Sequence, residues 1–420
     1  MSKFSEMQLL IKNAHIVDTN SPYHNQTVDV LVEGDSIIQI GSITSFEGNT
    51  WDAAGADLYP GFAELHSDLG EPGNEESETL RSGAAAAAAG GFTAVGVVSN
   101  GAPFSDNKTG IEFISNKSDQ SPIHLVPVGT ATKGRKGEEL SEMFDMFEHG
   151  SELFGDYKHG LSNANLLKLA LLYSKPFGRI MVHPEDHDLV AGGKMNEGVT
   201  STYVGLKGIP SLSEYVRIQR DLNILEYTEG ALHIASVSTA KGIDTIREAK
   251  QKGLNVTCSV NIHHLLFTEE SLVNYDTALK VSPPLRNKED QKALLDAVLD
   301  GTVDCLAVDH LPKDIEQKQC EFDNAEFGMA GFEGAVCQLL DQVKISPERI
   351  QELLSTNPRA LLGLPVLSIV EGMEAEFTII GKEGQDWTGF ASKAFNNPFR
   401  GSSTEHNVKA VFAKGSLLAL

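Results

Sequence analysis

Tyr59-Pro60-Gly61-Phe62-Ala63-Glu64-Leu65-His66-Ser67-Asp68-Leu69-Gly70-Glu71-Pro72-Gly73 runs from an apolar strand into a histidine, a polar pair and a Gly/Pro-rich turn. Barrel strands deliver ligands to their C-terminal mouth in this way. Downstream, strand-like and helix-like stretches alternate. Phe92–Val98 follows the helix-prone Ala84–Ala89, and then come Ile123–Val128, Arg179–His183, Leu232–Ser236, Asn255–Val260 and Val303–Asp309. Such alternation over roughly 300 residues predicts an α/β fold, a (β/α)8 barrel. A doubly wound open sheet competes, but no Gly-x-Gly-x-x-Gly turn follows the first such strand. The six alanines before Gly90-Gly91 read as a tightly packed helix rather than a linker.

Strand signals flank this region. Leu9–Ile11, Ile16-Val17, Val28–Val32 and Ile37–Ile40 precede it, separated by Asn/Asp/Gly/Ser turns; Ala375–Ile380 and Val408–Phe412 follow it.

Bulk composition narrows the function. The chain has 420 residues, 41% hydrophobic and 22% charged, as in ordinary globular proteins. The formal net charge of −24 opposes nucleic-acid binding, which needs phosphate neutralisation. No apolar run approaches a membrane span, and the polar start Met1–Glu6 lacks signal-peptide order. A soluble cytoplasmic protein is expected. Cys258, Cys305, Cys320 and Cys337 form no Cys-x-x-Cys pair and read as reduced thiols.

Four candidate metal ligands stand at strand ends: His66, Asp68, His183 and Asp309. Barrel ends gather ligands from distant sequence in this manner. A lone strand-end histidine is more often structural, and Asp68 could equally cap a turn. Asp309 could pair with His310 at the barrel rim.

Further ordered motifs extend across the chain. Glu71-Pro72-Gly73 precedes Glu78-Thr79 and Gly90-Gly91-Phe92-Thr93. Thr132-Lys133-Gly134 leads to Gly137-Glu138-Glu139-Leu140, and His183-Pro184-Glu185-Asp186 precedes Gly208-Ile209-Pro210. His263-His264 leads to Ser282-Pro283-Pro284-Leu285-Arg286, then Asp309-His310-Leu311-Pro312 and finally Asn397-Pro398-Phe399. This series resembles the dihydroorotases, cyclic amidohydrolases of the amidohydrolase superfamily.

The resemblance implies that both chain ends, 1–57 and 366–420, form a small β-sandwich around a 58–365 barrel. It implies reversible closure of N-carbamoyl-L-aspartate to dihydroorotate in pyrimidine biosynthesis, on zinc that acidifies a bound water. His66, His183 and Asp309 match family ligands, with Asp309 also the catalytic proton shuttle. A fourth-strand bridging ligand, an aspartate or a carboxylated lysine, falls nearest Asp156 or Lys158. Asn100 matches a substrate contact.

Other positions depart from the family pattern, so the metal and substrate sites look degraded. Asp68 replaces the second histidine of His-x-His, and Gly70 replaces the carboxylate-binding arginine. Ser236 replaces the sixth-strand histidine; His233, three residues earlier, should point the other way. Ser282 replaces an asparagine, and Lys313 a histidine. Lys313 could supply a substrate-binding charge, but without the planar fork of arginine. Losing one buried charged partner typically costs about 2–5 kcal/mol of binding. His263 and His264 read as structural, and Arg286 as a scaffold contact.

The expectation is therefore a catalytically impaired or non-catalytic homologue, for example a partner of aspartate carbamoyltransferase. The alternative is an active zinc-dependent cyclic amidohydrolase with one metal ion, acting on dihydroorotate, hydantoin or allantoin. A homodimer is expected by analogy.

Overall fold

A computed structural model describes residues 8–420; the polar start Met1–Glu6 lies outside the described residues. Eight parallel strands form a closed barrel. The first three are Phe62–Ser67, Phe92–Val98 and His124–Val128, hydrogen-bonded in that order. The other five are Leu153–Phe154, Arg179–Val182, Leu232–Ile234, Val256–Asn261 and Cys305–Ala307, again in chain order. A parallel bridge between Gly129 and Phe154 joins the third strand to the fourth. Asp68 N donates to His310 O at 2.9 Å and joins the first strand to the eighth.

A buried carboxylate reinforces that last junction. Glu64 Oε2 accepts from Val308 N at 2.7 Å, and its Oε1 accepts from Asp309 N at 3.2 Å and Ser67 Oγ at 3.1 Å. The first strand therefore fixes the backbone on which Asp309 stands.

A helix follows each strand, from Leu80–Ala89 after the first to Phe332–Gln342 after the eighth. The alanine run lies in that first helix, capped by Thr79, whose hydroxyl accepts from Ser82 N. Its small side chains let the helix pack closely: a Cβ at Gly83 would meet Leu69, and one at Gly90 would meet Phe332 O. The main core lies between strands and helices. A second apolar cluster, with Leu65, Val98, Val128, Met181 and Leu362, fills the barrel interior.

The flanking strands meet in one sheet. Gln8–Ile16 pairs with Thr27–Glu33 and Asp57–Pro60, and Asp57–Pro60 pairs with Phe377–Gly381 from the far end of the chain. Its own core includes Ile11, Val30, Ile37, Phe377 and Phe412. The Arg359 guanidinium bonds Glu376 Oε2 at 2.8 Å and His124 Nε2 lies 2.7 Å from Glu376 Oε1, tying barrel to sheet. No helix among the described residues is long and apolar enough to cross a membrane.

Candidate active site

The barrel strands bring Asp309, His66, His183, Lys158, His263 and Asn261 to the same mouth. Asp309 is buried and sits at a left-handed φ of 54°, one residue type that tolerates this. Tyr157 and Ser236, also facing the mouth, have φ of 53° and 57°. Positive φ at non-glycine strand ends is strain that gathers at sites built to hold ligands.

Asp309 accepts three hydrogen bonds. Tyr157 Oη donates to its Oδ1 at 2.9 Å, and Asn261 Nδ2 donates to Oδ2 at 3.0 Å. The Lys158 ammonium donates to Oδ2 at 2.5 Å and to Ser282 O at 2.6 Å. Burial alone would raise the Asp309 pKa; the Lys158 charge and the neighbouring His66 ring overcome it and hold the carboxyl far below its ordinary range.

The imidazoles are in the opposite condition. His66 Nδ1 lies 3.6 Å from Asp309 Oδ1, beyond hydrogen-bond reach, and both its ring nitrogens are unpartnered. His183 Nε2 and both nitrogens of His263 are also buried without partners. Burial, then the Lys158 charge, pushes His183 down to about 3. Burial pushes His263 down to about 4. Glu185 beside them is held at about 2: burial opposes this, but His187, His183 and Ser282 outweigh it.

The expected four-ligand set does not converge. Asp68 turns to its own loop, where its Oδ1 accepts from Gly70 N at 2.8 Å. Burial raises the Asp68 pKa against the pull of Asn100 and Lys313, which lie beside it. Asp156, taken as a fourth-strand ligand, also lies elsewhere. Its Oδ1 accepts from Ala131 N and Thr132 N, and its Oδ2 from Thr132 Oγ1 at 2.5 Å, which leaves it no free face. Among the described residues, His124, Glu374 and Glu376 alone bring three candidate ligand atoms within 4.8 Å of one another. That trio lies where barrel and sheet meet, and Glu376 already holds Arg359. The donor set at the mouth therefore does not fit a metal as it stands, because a lysine ammonium occupies the Asp309 carboxylate.

Asn100 lines the mouth cavity with Lys313, His159, His187 and Phe327; the cavity holds about 280 Å³. Asn100 Oδ1 accepts from Arg135 Nη1 at 2.9 Å, so a buried guanidinium stands behind it. Lys313 Nζ lies 3.9 Å from Glu326.

Three readings from sequence need correction. His233 does face the barrel interior, with Nδ1 2.9 Å from Thr257 Oγ1 and Nε2 3.2 Å from Ser259 Oγ. Strand parity fails because the sixth strand ends at Ile234 and Ser236 takes a positive φ, turning its hydroxyl onto Asn261 Oδ1 at 3.1 Å. Both His233 nitrogens are nonetheless engaged below the mouth. His263 belongs to the mouth cluster, whereas His264 is structural, its Nε2 3.2 Å from Pro283 O. His310 does not pair with Asp309; it stacks on Phe332 at 4.4 Å. Tyr157, Asn261 and Arg135 carried no motif. Asn261 alone had a signal, two-residue spacing from Thr257 and Ser259 on the inward face of one strand. Arg286 is a scaffold contact, bonding Asn196 Oδ1 at 2.8 Å and Ser238 Oγ at 3.0 Å.

Residues 55–242 match a family model described as dihydro-orotase-like. A dihydroorotase of Pelotomaculum thermopropionicum is 40% identical over 404 residues, 94% of each chain. The chain belongs to the dihydroorotase family. A dihydroorotase of Acetivibrio thermocellus is 37% identical over 422 residues, 98% of each chain. Among solved structures, L-hydantoinase from Arthrobacter aurescens superposes with a TM-score of 0.84 at 20% identity, over 98% of this chain and 96% of that one. Dihydropyrimidinase from Brevibacillus agri gives 0.82 at 21%, over 98% and 95%. At such identities the likeness speaks for the fold, the amidohydrolase (β/α)8 barrel.

The buried histidines give an acid-sensitivity prediction. Burial holds His233 well below 6.5, so the unfolded chain binds a proton that the folded chain refuses. The folded pKa is depressed, so this stability is full above pH 6.5 and is lost as pH falls. His233→Gln should reduce the slope of unfolding free energy between pH 6.5 and 5, by about 0.7 kcal/mol per pH unit at the upper end and approaching about 1.4, the worth of one proton, at the lower. Urea melts across that range would show it, and an unchanged slope would refute it.

Proposed function

We propose that this chain is a non-catalytic dihydroorotase homologue with a structural or regulatory role in pyrimidine biosynthesis. The observation that carries this reading is the pairing of Asp309 with Lys158, supported by Tyr157 and Asn261. An acid that must take and release protons needs a pKa near working pH, and the Lys158 charge and the His66 ring hold Asp309 far below it. The substitutions at Asp68, Gly70, Ser236 and Ser282 point the same way, since each removes a group that the family chemistry uses.

In this reading the protein is cytoplasmic and divides into a sheet domain of 1–57 and 366–420 and a barrel of 58–365. It forms a homodimer, and its partner is aspartate carbamoyltransferase. Zinc is the metal the ancestral site would have taken. Dihydroorotate or N-carbamoyl-L-aspartate would at most occupy the small mouth cavity.

The test is direct. Purified protein, supplied with zinc, is assayed for dihydroorotate hydrolysis and carbamoyl-aspartate closure. Rates at the uncatalysed background are expected, with hydantoin and allantoin also inert. Turnover at an ordinary enzymatic rate, on the order of 1–1,000 per second, would sink the reading in favour of an active amidohydrolase using His66, His183 and Asp309. Co-elution with aspartate carbamoyltransferase from the same organism tests the partner.

A further inference from the structure

We infer that the Lys158 ammonium is a built-in cation that has taken the place of the metal ion, and that its charge is what keeps divalent metal out of the barrel mouth. This rests on the non-catalytic reading and deepens it.

A buried carboxylate must be paired with a cation or hydrogen-bonded to stay ionised. In a metalloenzyme the ion meets that need. Here Lys158 Nζ does, at 2.5 Å from Asp309 Oδ2. The ammonium is held in place from three sides: by that carboxylate, by Ser282 O at 2.6 Å, and by the Tyr157 ring 5.2 Å beneath it. Tyr157 and Asn261 complete the shell of Asp309 as neutral donors. Both oxygens of this side chain already accept hydrogen bonds, Oδ2 from two donors at once.

Around this pair stand His66, His183 and His263, buried and with unpartnered ring nitrogens. Buried polar atoms without partners are rare and costly, and each needs a reason. Neutral imidazoles with open nitrogens beside a carboxylate are a zinc-type donor set. The charge of Lys158 repels a second cation placed in this set. A divalent ion would have to displace the ammonium from Asp309.

Charge, rather than side-chain size, is the discriminating variable. Wild type, Lys158→Met and Lys158→Arg are each equilibrated with cobalt(II), dialysed, and measured for bound metal, visible spectrum and melting temperature. Wild type and Lys158→Arg are expected to retain none at this site. Lys158→Met, which frees Asp309 but keeps a stem over Tyr157, is expected to hold about one cobalt per chain in a His/carboxylate environment. Its melting temperature should rise with cobalt, while that of wild type stays fixed. Stoichiometric cobalt on wild type or on Lys158→Arg would overturn the inference. So would a folded Lys158→Met protein that takes up none.

Should Lys158→Met fail to fold, nitrogen-15 NMR of wild type decides. A slowly exchanging lysine ammonium signal, lost in Lys158→Arg, is expected. Its absence, or a lysine carbamate signal with carbon-13 bicarbonate, would overturn the inference. The two ideas fail separately: dihydroorotate turnover by wild type removes the non-catalytic reading. An inert, metal-free wild type beside a metal-free Lys158→Met removes only this inference.

Discussion

Asp309→Ala is expected to lower folding stability by about 3–5 kcal/mol, the usual consequence of breaking a buried ion pair from one side. In a working metalloenzyme the same change would mainly abolish turnover. Here Asp309 is 4% exposed and Lys158 16%, so the deletion strands an ammonium among the aromatic ring of Tyr157 and unpaired imidazoles. It also removes the acceptor for Tyr157 and Asn261, each then left without that bond. Asp309→Asn should cost less, because the amide oxygen still accepts. Combining Asp309→Asn with Lys158→Met should recover part of the loss, because the stranded charge goes too. Coupling energies of contacting residues run roughly 0.5–3 kcal/mol, and this pair should sit at the upper end.

The pH sign is fixed by the same contact. The folded Asp309 pKa lies below its unfolded value of about 3.9. Its contribution is therefore full above that value and is lost as pH falls toward the folded one. Urea unfolding at pH 7 is the measurement. An Asp309→Ala protein within about 1 kcal/mol of wild type would mean that the pair is not the internal counter-ion described above.

How much of this was legible in the sequence depends on the kind of signal. The barrel was, because alternating apolar strands and amphipathic helices impose a period that survives substitution. Asp309, His66 and His183 were placed at the mouth because each ends a recognisable strand. Asp68 and Asp156 misled because strand position fixes where a residue starts but not which hydrogen bonds its side chain finds. Asp68 finds Gly70 N, and Asp156 finds the amides of Ala131 and Thr132. His233 misled for another reason: alternation holds only inside a regular strand, and Ser236 breaks it with a positive φ. The decisive contact, Lys158 with Asp309, joins residues 151 positions apart. No local pattern encodes a charge pair across a barrel.

Gly70→Arg, which restores the family residue, is expected to destabilise the protein and to recover no ligand binding. The reason lies in the backbone. Gly70 has φ of 73°, where a side chain costs roughly 1–2 kcal/mol. A Cβ there would lie 2.5 Å from Glu78 O and 2.9 Å from Asn74 O. These carbonyls cannot simply yield. Asn74 N donates back to Gly70 O at 2.6 Å, and Glu78 is pinned through its own carboxylate, which takes Lys393 N at 3.3 Å and the hydroxyls of Ser82 and Ser392. Forcing a side chain into such packing adds about 1–3 kcal/mol, for a total of about 2–5 kcal/mol. Gly70→Ala should already show most of it, since the clash begins at Cβ. The glycine at position 70 is thus required by the packing of the whole Asp68–Glu78 loop. That loop closes on itself through Asp68, whose Oδ1 accepts from Gly70 N at 2.8 Å. An unchanged urea midpoint in Gly70→Arg would show instead that the loop opens readily. The substitution would then be a point loss, reversible by a single residue.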